Sequence, residues 1–564
     1  MGISSSAALV RPAYEGGNPQ RLWGGQWVAQ GPLQPFDSGH IREALLQGQR
    51  PIFIVKNGPH LAMAGEGRAI FGPLTHRESD SYPIQAWAPA LSPESLGEPS
   101  FKAAHGLKYA YLAGAMANGI TSVAMVAAMA RAGMLGVFGS AGMAPAQVEA
   151  AIEALQEEIP NGPLGFNLIH SPFDPQLEMA LVDLYLRRGI RRISASAYIN
   201  LTLPLVYYRL KGIHRDATGQ VVCPNRLIAK ISRIEVAQRF LSPPPPKMVA
   251  QLRQQNYISE GEAQLAGEIP MADDLTAEAD SGGHTDNRPA LALLPTLLAL
   301  RDQLQEAYGY RRRPCVGLGG GIATPQAAAA AFAMGAAFVV VGTVNQSCLE
   351  SGTSARVRQL LAAARQGDVT MAPSADMFEL GVKVQVLKRG TMFPLRAHKL
   401  YDLYHRYDAF EQIPADQRQI VERDIFQADF HHVWRETQAF FSQRDPRQIE
   451  RAQGDLKHRM ALVFRSYLGQ SSKWAQAGDP QRQMDYQVWC GPAMGAFNQW
   501  VQGSFLEDLA QRTVTVVAIN FLLGAAYLTR ASLLSQQGVR MPDGAARFTP
   551  LAIDEMEPYL ARCA

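Results

Sequence analysis

The run Ala279-Asp280-Ser281-Gly282-Gly283-His284-Thr285-Asp286-Asn287-Arg288-Pro289 gathers a histidine, three charged side chains and a glycine pair. A flat ring or a phosphate can come close to a backbone only where side chains are missing, and a proton donor must stand beside it. Gly282 and Gly283 supply the clearance. His284, whose ordinary pKa lies near neutrality, is the candidate acid. A lone histidine is usually structural, but one that directly follows Gly-Gly at a strand exit fits the functional class. Asp280 and Asp286 either orient His284 or cap the loop.

Further candidates are spread along the chain. Gly319-Gly320-Gly321 precedes Thr324-Pro325, an N-cap and N1 proline that open a helix, where free N–H groups and the helix dipole favour an anion. Gly342-Thr343 is a second such element. Gly114-Ala115-Met116 offers small residues and open backbone, either for one edge of a ring or for a tight turn that lets a helix pack closely. Asn167 stands in the apolar run Gly165-Phe166-Asn167-Leu168-Ile169 and needs hydrogen-bond partners, in a ligand or in a neighbouring loop. Lys230, in Leu227–Ile231, must be paired or face a ligand.

The elements that must position these residues alternate between short apolar runs and helical stretches. Eight strand candidates emerge: Tyr109–Ala113, Met134–Phe138, Leu164–Ile169, Arg192–Ala197, Leu227–Ser232, Asp274–Ala279, Cys315–Gly319 and Phe338–Val341. Runs such as Phe338-Val339-Val340-Val341 suit parallel strands buried on both faces. Pro145–Glu158, Gln176–Arg188 and the alanine-rich segment after Thr324 read as the helices between them. Pro243-Pro244-Pro245-Pro246 must break any helix there, so Ile234–Pro270 holds two or three short helices. Eight strands over about 240 residues predict an α/β fold of the (β/α)8 TIM-barrel kind rather than an open doubly wound sheet.

The barrel assigns the glycines. Loops after its seventh and eighth strands form the usual phosphate cradle, which places an anion at Gly320, Gly321, Gly342 and Thr343. A dinucleotide fingerprint fails because Ile322 stands where the third glycine belongs. A mononucleotide remains, which points to FMN. Lys230 then faces the N1/O2 edge of the flavin, where a cation stabilises negative charge on its reduced form.

The chain has 564 residues, 47% hydrophobic and 18% charged, and 53 basic against 50 acidic side chains give a net charge of +3. No global field attracts nucleic acid. The expected organisation is a β-containing N-terminal region at 1–100, the barrel at 101–396, a helical lobe at 397–511 and a C-terminal helical segment at 512–564. The five cysteines form no CxxC pair, which argues for a reducing, cytoplasmic setting and against zinc or a disulfide scaffold. His431-His432 fall on different faces of a helix, so no metal site is expected. The start of the chain lacks a secretory pattern. Met1-Gly2 with Ser6 fits only the loose myristoylation pattern. Val514–Leu528, at about 15 residues, is too short to cross a bilayer and reads as a buried helix. Arg311-Arg312-Arg313 reads as a solvated loop or, alternatively, a dock for an acidic carrier protein.

The Gly-Ala-Met, Gly-Phe-Asn-Leu, Gly-Gly-His, Gly-Gly-Ile and Gly-Thr elements resemble those of nitronate monooxygenases and flavin-type enoyl-acyl-carrier-protein reductases. Within that superfamily the chain looks like the PfaD family, on Ala279–Pro289, Phe378–Lys388 and Trp489–Phe497. The resemblance implies a trans-acting enoyl reductase of polyunsaturated fatty acid, glycolipid or polyketide synthesis. It implies FMN and NADPH as cofactors, an acyl carrier protein as partner, a homodimer, and His284 as the principal catalytic residue. Two other activities are weighed: a nitronate oxidase, against which Asp280-Ser281 and the helical lobe count, and a non-catalytic scaffold protein.

Overall fold

The structure is a computed structural model that describes residues 25–71, 80–171 and 174–560. The Met1-Gly2 pattern and Cys563 lie outside these residues. Two compact units are present, one holding the described residues up to Ser92 with Ala526–Phe548, the other the remainder from Pro93.

In the first unit six strands, β1 Gly25–Ala29, β2 Gln34–Pro35, β3 Ile52–Asn57, β4 His60–Met63, β5 Gly67–Phe71 and β6 Ser81–Ala88, form an antiparallel sheet ordered β2-β4-β3-β6-β1-β5. The helix Ser38–Leu46 ends on a buried cation. The Arg530 guanidinium donates to the carbonyls of Ala44 (3.0 Å), Leu45 (2.9 Å) and Arg50, meeting C-terminal groups that the helix leaves unpaired.

The second unit is built on a closed parallel barrel. Its strands are β7 Tyr111–Ala113, β8 Leu135–Phe138, β9 Leu164–Ile169, β10 Arg192–Ser196, β13 Arg226–Ile231, β14 Asp274–Glu278, β16 Cys315–Gly319 and β17 Val339–Val341, the last pairing back to β7. A short hairpin, β11 His214–Arg215 and β12 Val221–Val222, interrupts the sequence. Every expected strand forms a barrel stave, with ends moved by at most a residue or two. The β-branched run Val339-Val340-Val341 is buried along its length, as a strand covered on both faces requires. Thr324 caps the helix Pro325–Ala333 by accepting from Ala327 N at 3.2 Å. The tetraproline ends one helix at Leu241, and the next begins at Pro246.

The N-terminal end of the barrel is pinned by a buried charge network. Asp274, fully buried, accepts from His105 Nε2 (2.8 Å), Arg312 Nη2 (2.8 Å) and Cys315 N (3.1 Å). Burial alone would raise this carboxyl, but Arg312 and His105 hold it down to about 2. Within the Arg311–Arg313 loop, Arg311 and Arg313 are exposed as a solvated loop requires, and Arg312 alone departs from that reading because it is committed to Asp274. The triplet precedes β16 and so lies at the barrel end away from His284.

Beyond the barrel, β18 Val369–Pro373 and β19 Lys383–Leu387 form a hairpin, joined on its other side by β15 Gly283–His284. Helices Phe393–Arg406, Phe430–Arg444, Pro446–Gly454 and Leu456–Ala477 follow. Their core gathers Phe378, Phe393, Phe410, Phe430 and Phe464, each worth roughly 2–3 kcal/mol when fully buried.

The late apolar segment is longer than expected. It forms a helix of 23 residues, Val514–Gln536, long and apolar enough by composition to cross a membrane, with 78% of its apolar window buried in the protein. The hydropathy run ends near Leu528, but the helix continues because the polar Arg530 beyond it finds backbone partners.

Candidate active site

The carboxyl ends of the eight strands bring the candidate residues to one mouth of the barrel. The His284 loop leaves β14 and is closed at its base by Asp280 N donating to Arg288 O at 3.0 Å. Inside it, Asn287, at φ +50°, donates from Nδ2 to Asp280 Oδ1 at 2.7 Å. Asp286 accepts from Ser232 Oγ (2.7 Å) and from Arg233 Nε (2.9 Å) and Nη2 (3.1 Å), which tie the loop to the end of β13. The Arg233 fork holds the Asp286 carboxyl at about 2. Of the two roles open to Asp280 and Asp286, the geometry gives them the loop and not the histidine.

The partner of His284 comes from a distant segment. Its Nε2 lies 3.2 Å from Asp376 Oδ1, on the β18–β19 connection. Burial tends to lower the His284 pKa. The bond and charge of Asp376, with Glu278, outweigh that and the opposing charge of Lys230, so the pKa is raised. Burial pushes Asp376 up, but His284 holds it at about 2. The ring thus keeps its proton further into the neutral range than a free histidine would.

Lys230 is paired: Nζ lies 2.6 Å from Glu278 Oε1 on the adjacent strand. Asn167 is buried, and its Oδ1 accepts from Ser196 Oγ at 2.9 Å, a partner on the neighbouring strand β10. The turn Gly114-Ala115-Met116 is stapled by Thr121, which donates to Gly114 O (2.7 Å) and accepts from Met116 N (3.0 Å). A Cβ on Gly114 would meet Val340 Cγ1 at 2.9 Å, so this glycine serves strand packing.

The glycines divide by what surrounds them. A Cβ on Gly282 would lie 2.9 Å from the backbone nitrogens of Cys490 and Gly491, so protein backbone takes the room that Gly282 makes. That corrects the reading in which both glycines of the pair clear space for a ring. A Cβ on Gly283, at φ +83°, would have the Trp489 ring at 3.9 Å as its nearest contact. Gly320, at φ +91°, would meet the Ala279 and Asp280 carbonyls at 2.7 Å, a conformation and a clearance that only glycine allows. A Cβ on Gly321 would have nothing within 4 Å, and one on Gly342 would have Met116 Cγ at 4.0 Å. Thr343 Oγ1 accepts from Gly491 N at 3.3 Å.

Sequence reasoning missed Asp376, Glu278 and the Trp489-Cys490-Gly491 segment as parts of this mouth. That segment is bridged to β19, with Cys490 N donating to Gln385 O at 3.3 Å. Alternation along β14 puts Glu278 on the face of Thr276, a signal that could have found it. Asp376 has no comparable local signature. Among the described residues, the buried atoms here without a hydrogen-bond partner include Thr276 Oγ1, Ser281 Oγ and Gln385 Oε1.

Comparison with known proteins adds the following. Residues 99–394 match the family model described as nitronate monooxygenase, and residues 407–486 match the inserted helical domain of [acyl-carrier-protein] S-malonyltransferase. A polyunsaturated fatty acid synthase component of Thraustochytrium sp. is 42% identical over 95% of this chain, which spans 35% of that protein. Polyketide biosynthesis protein PksE of Bacillus subtilis is 45% identical over 79% of this chain, which spans 58% of it. The chain thus covers from about a third to three-fifths of these curated relatives. The crystal structure of the enoyl reductase domain of MlnA, from the macrolactin biosynthesis cluster of Bacillus amyloliquefaciens, is 38% identical with a TM-score of 0.73, covering 79% of this chain and 99% of that one.

Proposed function

The chain belongs to the nitronate monooxygenase family, in its PfaD-like branch of enoyl reductases related to polyunsaturated fatty acid and polyketide synthases, and we propose that it reduces trans-2-enoyl thioesters on an acyl carrier protein, using FMN and NADPH. The observation that carries this reading is a carboxylate-backed histidine, His284, at the C-terminal mouth of the barrel beside glycines that face open space. Catalytic groups of this fold gather at that mouth.

The residues present fit a planar, phosphate-bearing group. A Cβ on Gly321 would face open space and one on Gly342 would have only Met116 Cγ beside it, so the backbone here is open to a ligand, and Thr276, Ser281 and Gln385 bring unpartnered polar atoms to the same mouth. Gly320, Gly321, Gly342 and Thr343 would hold the phosphate of FMN. Ala115, Met116, Asn167, Lys230 and Gly283 would line its ring. Bound there, FMN would supply hydride-transfer chemistry between NADPH and an enoyl thioester.

This chain's own groups do the rest. His284, its pKa raised, holds a proton near neutral pH and releases it to the α-carbon. The Lys230–Glu278 pair keeps a cation at the mouth without an uncompensated charge. The match of 407–486 to a helical domain of an acyl-carrier-protein enzyme supports a carrier as partner, and a cytoplasmic setting accompanies that role.

Anaerobic consumption of NADPH with a crotonyl thioester tests the proposal. The expected result is stoichiometric formation of the saturated thioester. Turnover only with a nitronate and oxygen would overturn it.

A further inference from the structure

Four carboxylates surround the His284 loop, and three of them are committed elsewhere. Glu278 pairs with Lys230 at 2.6 Å, Asp286 with Ser232 and Arg233, and Asp280 with Asn287. Asp376 is the one that reaches the ring, at Nε2. The backbone beneath the ring is fixed as well, because Gly283 and His284 pair antiparallel with Gln385 and Val384 of β19. Asp376 therefore approaches from the same hairpin that holds the histidine's main chain. Among the described residues nothing bonds Nδ1.

We propose that Asp376 is the positioning residue of the acid: its carboxylate retains the Nε2 proton of His284 and leaves the Nδ1 proton as the one released to substrate. The inference rests on the enoyl-reductase reading above. With hydride reaching the β-carbon from reduced flavin, the α-carbon takes the Nδ1 proton and forms its new C–H bond. The imidazolium becomes a neutral imidazole protonated at Nε2, the tautomer that a carboxylate at Nε2 stabilises. Solvent then restores the Nδ1 proton. The charged groups facing the ring are Asp376 from the hairpin, Glu278 from β14 and Lys230 from β13. Of these, Asp376 both touches the ring and favours its charged form.

The test compares wild type with Asp376→Asn and Asp376→Glu in the flavin-loaded enzyme. Asp376 is half exposed, so Asn replaces it without loss of packing. Two readouts are taken: the ring titration of His284 by NMR, assigned by difference with His284→Gln, and the pH profile of kcat/KM for a crotonyl thioester. In Asp376→Asn the ring titration and the basic limb of the profile should move together toward acid by about one pH unit. At pH values above both limbs that is about a tenfold loss of kcat/KM, carried by kcat with KM little changed. Asp376→Glu should restore much of both. An unchanged titration and limb in Asp376→Asn would overturn the inference. A wild type that reduces no enoyl thioester, while its ring titration still shifts in Asp376→Asn, would uphold the coupling and overturn the functional reading instead.

Discussion

Replacing Asp274 with asparagine should loosen the barrel without touching its chemistry. The side chain is fully buried and takes hydrogen bonds from His105, Arg312 and Cys315 N. The substitution would leave the Arg312 charge facing a neutral amide, and breaking one side of a buried pair costs about 3–5 kcal/mol. The pH dependence bounds the ionic share. The folded carboxyl titrates at about 2 against the usual 3.8, which corresponds to about 2 kcal/mol of stability. Because the folded value is the lower one, this share is complete above pH 3.8 and is lost as pH falls through 2. The strand from Asp274 to Glu278 separates the two barrel ends by about 13 Å, so the groups at the mouth should stay in place. Urea unfolding followed by far-UV circular dichroism should therefore show a loss of about 3 kcal/mol. The acid side of its stability profile should also be flatter than in wild type. The kcat of the folded, flavin-loaded variant should remain within about twofold of wild type. A stability loss below about 1 kcal/mol, or a kcat that falls in step with stability, would refute the reasoning.

Further outcomes follow from other contacts. Gly282→Ala drives a Cβ against the Cys490 and Gly491 nitrogens; it should cost about 1–3 kcal/mol by overpacking and lower kcat/KM. Combining it with Gly491→Ala should cost less than the sum, since the two added methyl groups press on the same contact, as a double-mutant cycle would read. Gly283→Ala meets no such contact but must hold φ +83°; thermal unfolding should report a loss of about 1–2 kcal/mol. Glu278→Gln should shift the basic limb of the kcat/KM profile toward acid by less than Asp376→Asn, because Glu278 acts on His284 through space. Arg530→Met strands the carbonyls of Ala44, Leu45 and Arg50; limited proteolysis should accelerate between residues 25 and 92 while flavin content stays unchanged.

The barrel was legible because its staves are local. Val339–Val341 runs into Gly342 and Leu164–Ile169 lies between Pro163 and His170, and both form within a residue of where the pattern puts them. Pro145–Glu158 reads directly from its N1 proline and periodic apolar positions. What could not be read is pairing across the chain. Val369–Pro373 and Lys383–Leu387 make a sheet with Gly283–His284, and no local period announces a partner so far away. Asp376 sits on that sheet's connection, in a stretch with no glycine cluster to draw notice. The same blindness affected Gly282, whose small size answers to Cys490 and Gly491 rather than to a ligand. Hydropathy also misjudged the end of Val514–Gln536, because a buried arginine with three carbonyl partners reads as a stop in sequence and as core in space.

The pairing of β15 with β19 sets an order of synthesis. The eighth stave is made once Val341 has emerged, yet His284 acquires its carboxylate and backbone clamp only from Asp376, Val384 and Gln385, and the Gly282-Gly283 pair before it meets Trp489 to Gly491 later still. At ordinary elongation rates that interval lasts on the order of ten seconds. A chain cut after the eighth stave keeps all the barrel's strands but lacks every one of these contacts. His284 is thus set in place late, and a ribosome that stalls midway leaves a barrel whose histidine lacks its carboxylate partner.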